Sequence, residues 1–212
     1  GELKAGAFDV VHRLTPMTPT LPSPLAKWSP VPFVVGPLNG GLRWPAGYFS
    51  QLSREREWMT YLRKASRVLP YFRSTYRRSA AVLAACDHTL ADLPEYTKDK
   101  AIAFPEVGID SAQFRVRDDT PGECDKPCTF VYVGRLVALK CVDVLIEAMA
   151  NSQELRKHKL WVIGDGPDRE SLEALTKKLG MSDVVTFHGQ QPHEKVAQLL
   201  RESDVFAFPS IR

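Results

Sequence analysis

Two hydrophobic periods alternate through the C-terminal half of the chain. Four short apolar runs, Thr129 to Val133, Leu160 to Ile163, Val184 to His188 and Val205 to Phe208, are separated by stretches whose apolar residues recur every three or four positions. Those stretches are marked by Val142, Leu145, Ile146 and Met149, by Leu172, Leu175 and Leu179, and by Val196, Leu199 and Leu200. Continuous apolar runs suit strands buried on both faces, and the three-to-four spacing suits helices buried on one. Regular alternation of the two predicts a doubly wound α/β unit on a parallel sheet, with Gly180 as the C-cap of the second helix.

The N-terminal half carries the same alternation less cleanly. Phe8 to His12, Pro32 to Val35, Ala80 to Cys86 and Lys100 to Phe104 read as short buried strands. Pro16, Pro19, Pro22, Pro24, Pro30 and Pro32 make the connection from Thr15 to Pro32 too proline-dense for a helix, so it is expected to be a long loop. Leu52, Met59 and Leu62 recur at helical spacing, with Pro70 forcing a break or a second helix. The polar run Arg115 to Pro127 reads as a linker, which divides the chain into 1–117, a connector over 118–127, and 128–212.

In a parallel sheet, ligands bind beyond the C-terminal strand ends. That rule gathers Gly134 and Arg135, the turn Gly164-Asp165-Gly166-Pro167, His188-Gly189-Gln190 and Pro209-Ser210 on one edge. A glycine turn with Arg135 and Lys140 about five residues apart, leading into a helix whose amide groups and positive dipole end favour anions, is a place to hold a diphosphate. Glycines and prolines that only make turns, and two solvated cations, are the plainer reading of the same residues.

Other phosphate and metal chemistries find no support. Gly164 and Gly166 are followed by Arg169 where a dinucleotide-binding fingerprint needs its third glycine, and no Gly-Lys-Ser/Thr phosphate loop occurs. No Asp-x-Asp pair is present to hold a divalent ion, and Cys124 and Cys128 have no neighbouring His or Cys to complete a tetrahedral zinc set, so neither a metal nor a cofactor is expected. Four cysteines, Cys86, Cys124, Cys128 and Cys141, form no disulfide framework and suit a reducing cytosol. No run of about 18 apolar residues exists to span a bilayer.

Val133-Gly134-Arg135-Leu136 with Lys140, then Val162 to Pro167, Phe187-His188-Gly189 and Phe206 to Ser210, follow one another as in the C-terminal domain of group 1 (family four) retaining glycosyltransferases. The resemblance implies a GT-B fold of two Rossmann-like doubly wound parallel-sheet domains, with 1–117 on the acceptor side and 128–212 binding a nucleotide sugar. It implies that Arg135 and Lys140 bind the donor diphosphate, and that Gly134, Gly164, Gly166, Pro167, His188, Gly189, Gln190, Pro209 and Ser210 complete the donor site. The activity implied is metal-independent transfer of a hexose, with retention, from a nucleotide-diphosphate sugar to a glycan or lipid-linked acceptor in the cytoplasm, at the inner face of the membrane. Two departures stand out. Cys141 occupies the place after the lysine where the family usually has glycine, and the acidic pair expected beyond Pro-Ser lies past Arg212. With no start Met at Gly1 and a strand already under way at Phe8, the chain is expected to be an internal fragment of a longer enzyme, both domains incomplete and activity impaired.

The N-terminal half resembles the acceptor domain of a subset of the same family through His12, at a strand end, and the loop Gly36 to Gly41. Both are expected to face the interdomain cleft. His12 is a candidate contact to the transferred sugar or acceptor, or a packed strand-end histidine; Gly40 and Gly41 mark close approach to a ligand or a tight turn. Residues 1–117 hold 16 Lys or Arg against 10 Asp or Glu, whereas the remainder holds 12 against 15. Much of the excess lies from Arg54 to Arg78, interleaved with aromatic and aliphatic residues. Solvated arginines on a helix pair, contact with anionic lipid headgroups, and nucleic-acid binding compete for it, the last without a recognition motif. At the level of function, an enzyme, a non-catalytic sugar-nucleotide-binding module and an interaction module remain open.

Overall fold

The computed structural model describes residues 6–40, 65–115 and 127–211. They form two compact units, the first drawn from described residues up to 108 and the second from those beyond it.

The first unit contains β1 (Val11–Arg13), α1 (Leu25–Trp28), β2 (Phe33–Leu38), α2 (Phe72–Arg78), β3 (Ser79–Ala84), α3 (Asp87–Asp92) and β4 (Ala101–Ala103). The strands pair in parallel in the order β1-β2-β3-β4, with Val11 opposite Phe33 and Val82 opposite Ala101. Phe33, Val35, Leu38, Val82 and Ala84 of the sheet pack with Phe72 and Tyr76 of α2 in a core that excludes water. All four expected strands are present with shifted ends; β1 starts late, leaving Phe8 exposed. The proline-dense connection is not wholly loop. Pro24 caps the four-residue α1, because a proline at a helix start gives up only an N–H that has no helical partner. Pro70 does break the chain: Tyr71, left-handed at φ 66°, caps α2 immediately after it. The expected helix around Leu52 to Leu62 lies outside the described residues, as does the proposed connector except Pro127.

The second unit contains β5 (Thr129–Val133), α4 (Val142–Asn151), β6 (Lys159–Ile163), α5 (Arg169–Lys178), β7 (Val185–Gly189), α6 (His193–Glu202) and β8 (Val205–Phe206). Each strand and helix appears where the two periods place it. The sheet is parallel in the order β7-β6-β5-β8. Alternate residues of β5 and β6 serve opposite faces, as the pleat requires. Tyr132, Leu160 and Val162 pack with Val142, Ile146, Met149 and Leu172 of α4 and α5, while Val131, Ile163 and Trp161 meet Val196, Leu199 and Leu200 of α6. Gly180 closes α5 at φ 64° and donates its N–H to the Lys177 carbonyl at 3.1 Å. The order also has a functional consequence. From β5 the chain winds outward through β6 to β7 and then returns to place β8 on the other side of β5, so the topological switch point lies between β5 and β8.

Candidate functional site

Beyond the strand ends of the second unit opens a cleft of about 700 Å³. Val133, Gly134 and Arg135 from β5 and its turn, Ile163, Gly164 and Asp165 from β6, and Gln190 and Gln191 after β7 line it, with His193, Val196 and Leu200 of α6, Phe206 and Phe114. Its floor is apolar and its rim carries the polar groups, the usual division in a small-molecule site.

The turns at its edge are locked to one another through backbone. The Gly134 N–H donates to the Ile163 carbonyl at 3.0 Å, Leu136 N–H to Asp165 at 2.9 Å and Gly164 N–H to Gly189 at 2.8 Å, which extends the sheet ladder one step past each strand. Such close crossing leaves no room for side chains. A Cβ on Gly164 would lie 2.0 Å from the Gly134 carbonyl oxygen, and one on Gly166 would lie 2.2 Å from that of Leu136. These two glycines therefore serve loop-against-loop packing, whatever the cleft holds. Arg169, whose place argued against a dinucleotide fingerprint, ties the turn to α5. Its guanidinium meets Asp165 at 3.0 Å and Glu173 at 2.9 Å, and the Gly166 N–H and Arg169 together hold the Asp165 carboxyl below the usual carboxylate range.

Arg135 is exposed at the cleft rim, and among the described residues no carboxylate pairs with its side chain. Lys140 ends a short 3-10 turn, Ala138–Lys140, and leans to the other side of the switch point. Its ammonium donates to Ser210 Oγ at 3.3 Å and lies 4.8 Å from the centroid of the Phe208 ring. Ser210 Oγ in turn donates to the Leu139 carbonyl at 3.3 Å, and Ile211 N–H to the same carbonyl at 3.0 Å. The two cations thus stand on one connection, from β5 to α4, with Ser210 of the segment after β8 bonded to the second. Cys141 then enters α4 as its N-cap at φ 50°, ψ 39°. A left-handed residue is the place glycine fills without strain, which accounts physically for the glycine the sequence pattern leads one to expect there.

Of the residues selected from sequence, Gly134, Arg135, Gly164 and Gln190 line the cleft; Lys140, Gly166, Pro167, His188, Gly189, Pro209 and Ser210 do not. His188 lies half-buried, with its ring edge-on to Trp161 at 5.5 Å and no hydrogen-bond partner on Nε2. Burial, and then Lys195, push its pKa below that of a free histidine. In the first unit, the Nε2 of His12 pairs with the Gly36 carbonyl at 2.8 Å, and the Gly40 N–H and carbonyl both bond the Thr89 hydroxyl. Gly41 lies outside the described residues. Sequence reasoning did not assign Gln191 to the site, nor His193, Val196 and Leu200 of α6, which reach the cleft only through packing; at Gly36, the first residue of the candidate loop in the other unit, a Cβ would meet the Leu83 carbonyl oxygen at 2.3 Å.

Two parallel-sheet units of Rossmann type, one ending in a cation-rimmed cleft at a switch point, define a chain of the GT-B fold. Structural likeness agrees: HepE of Anabaena solved with UDP matches at a TM-score of 0.66 with 15% identity over 96% of this chain and 53% of that one. Sucrose-phosphate synthase from Thermosynechococcus elongatus matches at 0.63 with 19% identity over 96% and 51%. Residues 117–212 match the family described as glycosyl transferases group 1, and this half of the chain is a group 1 glycosyltransferase domain. Among curated relatives, the alpha-D-kanosaminyltransferase of Streptomyces kanamyceticus is 32% identical over 153 residues, 70% of this chain and 38% of that protein. The lipopolysaccharide 1,6-galactosyltransferase of Salmonella typhimurium is 28% identical over 156 residues, 66% and 43%. The chain therefore spans well under half of the length of these relatives.

Proposed function

We propose that the second unit binds a nucleotide-diphosphate hexose in this cleft and that the whole protein transfers the hexose, with retention and without a metal, to a hydroxyl of a glycan or lipid-linked acceptor. The observation that carries the reading is the exposed Arg135, without a carboxylate partner among the described residues, at the rim of a cleft that lies at the switch point, with Lys140 further along the same connection. As the bond from the anomeric carbon to the leaving oxygen breaks, its electron pair stays on the diphosphate. Negative charge grows there while the sugar carbon becomes cation-like. Arg135 and Lys140 stabilise that growing charge, which is the part of the transition state a fixed cation lowers most. The galactosyl and kanosaminyl transferases among the relatives support a sugar as the transferred group, and HepE, solved with UDP and glucose, makes uridine diphosphate the first probe.

Titration of uridine and guanosine diphosphates into the chain, followed by calorimetry, tests the reading. Arg135→Ala and Lys140→Ala are each expected to weaken binding about 10- to 100-fold, the worth of a hydrogen bond to a charged group. Affinity equal to that of the unaltered chain would end the assignment. Incubation with radiolabelled nucleotide sugar then separates a transferase from a binding module, since only the former moves the labelled sugar off its nucleoside diphosphate.

A further inference from the structure

We infer that Arg169 is a positioning residue, which by holding Asp165 keeps Arg135 free for the diphosphate; this rests on the reading of the cleft given above. Two opposite charges meet at the cleft rim on neighbouring turns. Val133 pairs with Ile163 at the ends of β5 and β6, and the bond from the Leu136 N–H to the Asp165 carbonyl carries the ladder onward, so Arg135 and Asp165 stand opposite each other in register. Adjacent strands lie about 5 Å apart, well inside the reach of an arginine. Both residues line the cleft, yet among the described residues no ion pair joins them. Such a pair would cancel the cation that an anionic ligand needs.

Asp165 is engaged elsewhere. One carboxylate oxygen accepts the Gly166 N–H at 2.7 Å and the other accepts from Arg169 Nη1 at 3.0 Å. Arg169 is itself held from two further sides. Its Nε donates to Glu173 at 2.9 Å, one turn along α5. A Cβ on Gly189 would stand 3.1 Å from Nη1, so the missing side chain there leaves the guanidinium its place, a physical reason for a glycine that does not line the cleft. Arg169 does not line the cleft either, and it acts on the ligand only through its neighbours. The Asp165 side chain remains 47% exposed, and the contacts that lower its pKa keep it ionised at neutral pH. Released from Arg169, it is a standing anion opposite Arg135 that competes with the diphosphate.

Calorimetric titration of uridine diphosphate, and of guanosine diphosphate in parallel, into variants of the 212-residue chain tests the inference. Arg169→Ala is expected to weaken binding about fivefold, the scale of an exposed ion pair. Arg169→Ala/Asp165→Asn is expected to restore it, because asparagine carries no charge to compete. The double variant has lost the same ion pairs as the single one, so recovery cannot come from repaired packing. In an Arg135→Ala background, Arg169→Ala is expected to have no further effect. Arg169→Gln repeats the comparison with a side chain that keeps a hydrogen-bond donor, and thermal melting of each variant reports folding. Undiminished affinity in Arg169→Ala, a double variant as weak as the single one, or an added loss on top of Arg135→Ala overturns the inference and leaves the reading of Arg135 standing. Arg135→Ala that binds like the unaltered chain, or an unaltered chain that binds neither nucleotide, overturns both.

Discussion

The hydroxyl of Tyr132, buried in β5, donates to the carbonyl of Arg135 at 3.1 Å and so holds the turn that presents the cation to the cleft. Burial first, and Cys141 second, push the Tyr132 pKa up to about 12, so the donor keeps its proton through the neutral range. The same oxygen lies 2.7 Å from where a Cβ on Gly134 would stand, which is why the residue before Arg135 carries no side chain.

Tyr132→Phe keeps the ring and removes the bond. Loss of about 1 kcal/mol in denaturant unfolding is expected, along with weaker nucleotide binding, because the Arg135 carbonyl loses its anchor. Affinity unchanged beside a clear loss of stability would separate the turn from the site.

The crossing glycines divide by what surrounds them. Gly164→Ala and Gly166→Ala put a Cβ against backbone oxygen and are expected to destabilise by more than about 2 kcal/mol. Gly180→Ala points into open space and bears only the left-handed strain of about 1 kcal/mol. Melting temperatures of the three variants check this order.

At position 141 the comparison isolates backbone strain. Cys141→Ala and Cys141→Gly both remove the buried thiol, but only glycine relaxes at φ 50°. The glycine variant is expected to be more stable than the alanine variant by about 1 kcal/mol; equal unfolding free energies would contradict the left-handed assignment.

His188 makes stability depend on pH. Its folded pKa lies below its unfolded value, so the unfolded chain binds the extra proton first as pH falls. The stabilisation from keeping this ring neutral is complete above the unfolded value near 6.5 and declines as pH drops from there towards the folded pKa. The melting temperature is expected to fall less steeply between about pH 7 and pH 5 in His188→Gln than in the unaltered chain; parallel curves would count against a buried neutral ring.

Sequence by itself determined the elements of the second unit, because hydrophobic period is local: the spacing of Val142, Ile146 and Met149, or the unbroken run at Thr129 to Val133, specifies a helix or a strand without reference to anything distant. It also placed Gly134, Arg135, Gly164 and Gln190 together, since parallel strands send all their following turns to one edge. The first unit was less legible, and its α1 was hidden among prolines that signal loop. Tertiary structure alone decided that β8 pairs with β5, which creates the switch point and sends Lys140 towards Ser210 while Arg135 faces the cleft. It alone decided that Gly164 and Gly166 are demanded by the backbone of the neighbouring turn. Strand order and loop crossing are fixed by contacts between residues far apart in the chain, and no local pattern encodes them.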